Sequence, residues 1–405
     1  MKSLFNFALI VIILMLQAPV FACTTVIISG SHTTDGRPVL WKHRDTGFYQ
    51  NKLMYFEDGK YTYIGLVNSA DEEGSEVWGG TNSTGFAIMN SASYNLKVND
   101  DTKLQDQEGV LMKKALQQCA TLVDFEKLLN ELPKPLGVEA NFGVIDANGG
   151  AAYYETTNFE FRKFDVNDPK IAPYGYLVRT NHSISGIPNK GYGYIRYQQA
   201  ENLFYNGAAM DQLNAEYIIN HVTRDLHHAL TGIDLTANSE PAENLRFMNF
   251  EDFIPRYSSV ADVLVQGVKP GENPDNTLFW SILGFQLTSV AVPVWVKGGK
   301  DLPTLLVADE TGNAPLCDKA LKLKALCFPI NRGSGSKYIN ISVLFNSDGT
   351  GIMQHLKPVE QKIIQLTNQK TAQWEKDGIS EKQVQSFYKW IDDYVTESYH
   401  RLFGI

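Results

Sequence analysis

The stretch Val20-Phe21-Ala22-Cys23-Thr24-Thr25-Val26-Ile27-Ile28-Ser29-Gly30 decides how the rest of the chain is read. Upstream of it, Lys2 and the apolar run from Phe5 to Leu16 have the charge-then-apolar order of a secretory signal, and Val20 and Ala22 sit three and one positions before a potential cut. That run is short for a hydrocarbon core of roughly 30 Å, and no later segment approaches the roughly 20 apolar residues a span requires. The sequence therefore predicts a signal peptide over 1–22, a periplasmic or secreted protein with no stable membrane insertion, and Cys23 as the new first residue. Downstream of the cut, the β-branched residues predict a strand that begins at the cleavage point.

An N-terminal cysteine so placed has three readings. It is a half-buried thiol of the core, a lipobox cysteine that is acylated and anchored, or a nucleophile whose own α-amine serves as general base. Phe21 is bulky for a lipobox, and an immediate strand leaves no flexible tether. The catalytic reading is favoured, with a lipid anchor at Cys23 as the alternative.

Working outward, the 405 residues are 43% hydrophobic and 20% charged, a globular composition that excludes disorder, collagen and coiled coil. The formal net charge of −9 supplies no cationic field for phosphate backbones, so nucleic acid is excluded as a partner. Asp35-Gly36-Arg37-Pro38 is a turn signal, and Val39-Leu40-Trp41 starts a second strand that carries Lys42-His43-Arg44-Asp45 at its far end. Further strands are expected at Tyr61–Val67, Phe86–Ser91, Phe142–Ile145, Ala151–Glu155, Tyr176–Arg179, Thr277–Leu283, Val290–Val296 and Tyr338–Phe345. Helices are expected at roughly 108–131, 191–206 and 211–230, with two amphipathic helices over 357–402. Blocks of this kind predict packed α and β layers, not a doubly wound sheet.

Cys119 falls on an apolar helix face and reads as core. Cys317 and Cys327, ten apart around an expected loop, are a candidate disulfide in an oxidising compartment. No CxxC pair or HExxH occurs, so neither a metal nor another cofactor is called. His221, Asp225, His227 and His228 are weighed as a metal site on one helix and read as a surface helix face instead.

Several motifs then agree in order. Cys23-Thr24-Thr25, Asp35-Gly36 and Asp45 resemble the start of the N-terminal nucleophile hydrolases of the choloylglycine hydrolase, penicillin V acylase and penicillin acyltransferase group. Gly80-Thr81-Asn82-Ser83-Thr84-Gly85-Phe86 is similar to that group's Asn-x-x-Gly-Leu turn. Asn90 falls where the group often has an oxyanion-hole asparagine, and Asn141 through Glu155 resembles its central hairpin. Thr180-Asn181-His182 resembles the signature of the acyltransferase branch, with Arg196 in the Ile-Arg-Tyr helix that follows. The resemblance covers about residues 23–300. It implies an α+β fold, a four-layer αββα sandwich, and matches the last hundred residues much less clearly. The expected division is a catalytic domain over 23–350 and a C-terminal helical extension over 351–405.

The chemistry expected is cleavage of a nonpeptide linear amide C–N bond through a thioester on Cys23, the substrate being a small N-acyl amide. Transfer of the same acyl group to an amine is the alternative, and a non-catalytic surface lipoprotein the rival from another class. Oligomeric state is left open, homo-oligomers included. The α-amine, with an ordinary pKa near 8, accepts the thiol proton, and an asparagine NH2 suits the oxyanion because it donates without adding charge. Asn181 is the first candidate for that donor and Asn90 the second. Asp45 is expected to orient the amine of Cys23 or a neighbouring donor. Lys42 stands where the group has arginine, so either Lys42 keeps the charge alone or Arg44, two positions along the same strand face, takes over the role; Arg196 could also supply the guanidinium. His43 should point to the opposite face. Lys42 and Asn82 are the substrate-binding candidates, and Phe48, Tyr49, Trp78 and Tyr94 could line an acyl pocket.

Overall fold

The computed structural model describes residues 22–97 and 100–405. The signal segment expected over 1–22 lies, apart from Ala22, outside the described residues.

Two antiparallel sheets form the centre. The first has six strands in the order β10-β1-β2-β12-β13-β14, formed by β1 (Ala22–Ile28), β2 (Val39–Asp45), β10 (Tyr176–Arg179), β12 (Ser259–Gln266), β13 (Leu278–Leu283) and β14 (Val292–Val294). The second has seven strands in sequence order: β3 (Asn51–Phe56), β4 (Tyr63–Asn68), β5 (Gly79–Asn82), β6 (Ala87–Ala92), β7 (Ala140–Ile145), β8 (Ala151–Thr156) and β9 (Phe161–Asp165). A small ribbon pairs β11 (Phe247–Asn249) with β15 (Tyr338–Asn340).

The two large sheets pack face to face. Tyr153 of β8 donates from its hydroxyl to Thr25 Oγ1 of β1 at 2.9 Å, and Leu40, Ile27, Leu53 and Met89 are fully buried in the shared cluster. Outside the second sheet lie α1 (Glu108–Gln118) and α2 (Leu122–Glu131). Phe125 of α2 meets the rings of Phe86, Phe142 and Tyr154 there. Thr121 forms a capping box with Asp124, which starts α2. Outside the first sheet lies α3 (Tyr194–Ala209), whose Phe204 ring packs 6.2 Å from that of Trp41. Burying side chains of this size contributes roughly 1.5–3 kcal/mol each. The layers are therefore α, β, β, α, as expected, and the strands and helices called between residues 61 and 206 form within a few residues of their expected limits.

Three expectations need correction. Residues 211–230 do not form one helix: Ala215–Tyr217 and the wide turn Ile218–Val222 are all that is helical. Polar side chains take over the backbone groups a longer helix would need, since Thr223 Oγ1 and Arg224 Nη1 both donate to the Ile219 carbonyl and Asp225 Oδ2 accepts from the His227 N–H. Residues 341–344 turn helical after β15 instead of continuing as a strand. Cys317 and Cys327 lie on one helix, α4 (Pro315–Cys327), and both are free. Ten residues at 1.5 Å rise put them about 15 Å apart along the axis, far beyond disulfide reach.

The two C-terminal helices are α5 (Ile352–Asp377) and α6 (Glu381–Phe403). They join the larger hydrophobic cluster: the rings of Trp295 and Trp374 are 5.2 Å apart, and the Tyr388 hydroxyl accepts from Trp295 N–H at 2.7 Å. No helix among the described residues is long and apolar enough to cross a membrane.

Candidate active site

Cys23 is the second residue of β1, 6% exposed, and pairs in register with Arg44 of β2. Strand alternation splits the neighbours between two faces. Thr25, Lys42 and Arg44 turn toward the second sheet, while Thr24, His43 and Asp45 turn toward the outer layer.

The main chain of Cys23 is held at both ends. Its N–H donates to Asn181 Oδ1 at 3.1 Å, and its carbonyl accepts from Arg196 Nη1 at 2.7 Å. Arg196 also donates to Thr24 Oγ1 and to the same Asn181 Oδ1, both at 2.8 Å. A guanidinium only donates, so the Asn181 amide must present its oxygen to Cys23 and its nitrogen to the Ala92 carbonyl, 2.9 Å away. Arg196 reaches this position from the first turn of α3 because Gly193, at φ 78°, caps that helix; a Cβ at Gly193 would lie 2.4 Å from Arg196 Nη2. Burial first, then repulsion from Arg256, lowers the Arg196 pKa to about 9, with Asp45 and Cys23 acting against the shift.

Behind the strand, Asp45 accepts from Arg256 through Nη2 at 2.6 Å and Nε at 3.2 Å, and from the Ser259 hydroxyl at 2.6 Å. His43 Nε2 lies 2.8 Å from that hydroxyl, and His43 Nδ1 lies 2.8 Å from Asp262 Oδ1. Burial works to raise the Asp45 carboxyl, but Arg256, His43 and Arg196 outweigh it and hold it below the usual carboxylate range. Asp45 is thus a partner of Arg256 and Ser259, and in register it faces Ala22. Asp45 shows no hydrogen bond to the nitrogen of Cys23, whose acceptor is Asn181.

In front of the strand opens a cavity of about 500 Å³, within the range of small-ligand sites, lined by Cys23, Lys42, Arg44, Trp78, Asn90 and Glu108 among others. Phe48 and Tyr94 also line it. Lys42 Nζ donates to Asn90 Oδ1 at 2.6 Å and to the Trp78 carbonyl at 2.7 Å. This fixes the oxygen end of Asn90 and leaves its NH2 end without a partner among the described residues. Burial lowers Lys42 to about 8, an effect the charge of Cys23 opposes. Glu108, the first residue of α1, accepts from Glu139 N–H at 3.0 Å, and burial pushes its carboxyl up to about 7.

The structure therefore brings Cys23, Lys42, Asn90, Asn181, Arg196 and Asp45 together, with the last on the far side of the strand. Asn82 is not among them. At the end of β5 it donates to the carbonyls of Leu116 and Cys119 at 2.9 and 2.8 Å, anchoring the C-terminus of α1. Arg256, Ser259 and Asp262 carry no local motif, and only the pairing of β12 with β2 places Ser259 and Asp262 beside His43 and Asp45. Glu76 and Glu108 are equally silent in the sequence. No group of His, Cys, Asp and Glu side chains among the described residues could hold a metal ion.

Two antiparallel sheets packed between helices are the layers of the N-terminal nucleophile hydrolase group, and the chain is similar to that group. More particularly, residues 31–232 match the family described as acyl-coenzyme A:6-aminopenicillanic acid acyl-transferase, a match that starts beyond Cys23. The group's chemistry is amide hydrolysis or acyl transfer. No curated protein matches the sequence. Three solved structures are similar at low identity. An N-acylethanolamine-hydrolyzing acid amidase ortholog of Caenorhabditis elegans has 12% identity, covering 62% of this chain and 94% of that one, with a TM-score of 0.42. A mutant of the conjugated bile acid hydrolase of Clostridium perfringens has 10% identity, 67% and 92% coverage, and a TM-score of 0.38. Penicillin V acylase of Agrobacterium tumefaciens has 13% identity, 67% and 86% coverage, and a TM-score of 0.38.

Proposed function

We propose that the chain is a cysteine amidohydrolase of the periplasm or the exterior, which cleaves a nonpeptide linear amide through a thioester on Cys23 once residues 1–22 are removed. The observation that carries this is the grip of Asn181 and Arg196 on the nitrogen and carbonyl of Cys23, at the wall of a cavity that also holds Asn90 and two cations. The nitrogen at Asn181 Oδ1 is a peptide N–H in the uncut chain and stands in for the α-amine. As an amine it takes the thiol proton and returns it to the departing amine. The sulfur attacks the carbonyl, the C–N bond breaks, and water hydrolyses the thioester. Asn90, its oxygen occupied by Lys42, offers its NH2 to the oxyanion. Asn181 orients the nitrogen through its oxygen, a different task from the one the motif suggested.

The acyltransferase reading is favoured by one observation, the description of the family that matches residues 31–232. In that case an added amine takes the acyl group in place of water. Intact-mass measurement of the exported chain, before and after mixing with a panel of N-acyl amides, tests all of this. The expected results are a chain starting at an unmodified Cys23 and a transient acyl adduct on that residue. A lipid on Cys23, or a start elsewhere, would overturn the proposal. Product analysis with an added amine separates hydrolysis from transfer.

A further inference from the structure

The directions of the hydrogen bonds behind β2 fix the charge of one histidine. Ser259 Oγ has three close partners: Asp45 Oδ1 at 2.6 Å, His43 Nε2 at 2.8 Å and the Arg256 N–H at 2.9 Å. A hydroxyl has one hydrogen and two lone pairs. Asp45 is ionised against Arg256, so its oxygen only accepts and the Ser259 hydrogen points to it. The Arg256 N–H fills one lone pair of the hydroxyl, and the other accepts from His43, so Nε2 bears a hydrogen. Across the ring, His43 Nδ1 lies 2.8 Å from Asp262 Oδ1. That carboxylate also accepts from Gln286 Nε2 at 2.7 Å and, through Oδ2, from Trp41 Nε1 at 2.9 Å. The Nδ1 contact is too bent for a hydrogen bond, but a bare ring nitrogen would repel a carboxylate oxygen at that distance, so Nδ1 is protonated as well. Both ring nitrogens bear hydrogens only in the imidazolium.

We propose that His43 is a fixed imidazolium that clasps β2 to β12, and that it is a positioning residue for the strand pair carrying Cys23, not a base. The ring is fully buried, and a buried cation persists where counter-charges surround it. Asp262 of β12 faces it directly, and Asp45 Oδ1 lies 3.7 Å from Nε2. The other charges reach the ring through Asp45: Arg256 pairs with that carboxylate, Arg196 of α3 acts on it, and Lys324 of α4 acts on it and donates to the Ser259 carbonyl. Ser259, His43 and Asp262 stand in the order of a hydroxyl–imidazole–carboxylate triad. Here the hydroxyl hydrogen is committed to Asp45, and the imidazole has no lone pair to take it. In register His43 stands opposite Thr24, the neighbour of Cys23, whose hydroxyl accepts from Arg196. The clasp thus fixes the strand against which Cys23 pairs. The positioning role rests on the reading of Cys23 as the nucleophile; the charge of His43 does not.

The test reads the protons directly, by nitrogen NMR of the exported chain carrying isotopically labelled histidine. The eight histidines each show one or two ring N–H groups, and the signals lost in His43→Gln assign His43. An ordinary histidine gives up a proton near about pH 6.5, whereas His43 should keep both from about pH 6 to about pH 9. A His43 ring with one bare nitrogen at about pH 8 overturns the charge. Asp262→Asn removes the facing carboxylate, and its His43 should lose a proton within that window; a variant ring that keeps both throughout overturns the clasp. Should Asp262→Asn not fold, Ser259→Ala, which removes the Nε2 acceptor, takes its place. Positioning is read from the rate at which iodoacetamide alkylates Cys23, followed by peptide mass. The variant's pH profile should gain a second step, of about threefold or more, where its His43 titrates, and the parent should show none there. A titrating His43 without that step overturns the positioning role and leaves the charge. A Cys23 that does not alkylate removes the nucleophile reading, and the positioning role with it, while the charge of His43 stands on its spectra.

Discussion

Four consecutive residues of β2 divide into two electrostatic regions. On the outer face His43 and Asp45 are closed into a network with Ser259, Arg256 and Asp262, and every carboxylate there has a donor. On the inner face Lys42 and Arg44 are as deeply buried but bond only to neutral oxygens. Burial is the same and compensation differs: the outer charges are hydrogen-bonded to groups of opposite charge, while the inner ones feel opposite charge only at longer range, Lys42 from Cys23 and Glu108 and Arg44 from Cys23 and Glu76. The side of β1 on which a group lies then predicts whether replacing it costs function or stability.

The largest effect belongs to the inner face. Cys23→Ser should lower turnover by about 10⁴-fold or more, since removing a nucleophile abolishes the covalent route, while the melting temperature stays close to that of the parent. Retention of full activity would exclude Cys23 as nucleophile. Next, Asn90→Ala should reduce kcat by about 10²–10³, the usual cost of one oxyanion donor, and Asn181→Ala by about two orders of magnitude through the misplaced nitrogen. If only the Asn181 change matters, the oxyanion assignment moves back to the residue that the motif had pointed to.

The outer face should respond in stability. Asp45→Asn leaves Arg256 without its carboxylate, and breaking a buried pair costs about 3 kcal/mol or more. Arg44→Met, which removes a charge with no directly bonded carboxylate among the described residues, should shift a denaturation midpoint by less than half as much. Acid sharpens the contrast. The Asp45 carboxyl is depressed in the folded chain, so its contribution is present above the ordinary pKa near 3.9 and fades as pH falls through the lower folded value. The Asp45→Asn chain should therefore show a shallower loss of stability below about pH 4. Parallel acid limbs for the two chains would mean that Asp45 is not the group titrating there.

This division was only half legible in the sequence. Alternation along β2 sends His43 away from Lys42 and Arg44, because a period of two is local information. The identity of the partners is not local. Arg256 meets Asp45 across 211 residues of chain, and β12, which brings Ser259 and Asp262, reads as no more than a short apolar run beside other such runs. Asn181 shows the same limit at finer grain. Its motif marked it as part of the site, but which end of its amide faces Cys23 is decided by Arg196, a donor on another element. Cys317 and Cys327 give no clear helical signal because the helix that carries them is only weakly amphipathic.

The smallest effect tests whether the inner face lacks a directly bonded counter-charge, as its geometry indicates. Lys42 is lowered to about 8 in the folded chain, chiefly by burial, against about 10.4 when unfolded. Below pH 8 both states carry the proton and the penalty of burying it is constant. Between about 8 and 10.4 the unfolded chain still binds a proton that the folded chain has released, so stability rises with pH across that window. It levels once both states are neutral. Lys42→Met lacks this gain, so the stability difference between parent and variant should change in the parent's favour by about 1 kcal/mol from pH 8 to pH 9, followed by denaturant midpoints. A difference that stays flat over that unit would mean that a counter-ion already holds the ammonium, and the contrast between the two faces of β2 would lose its basis.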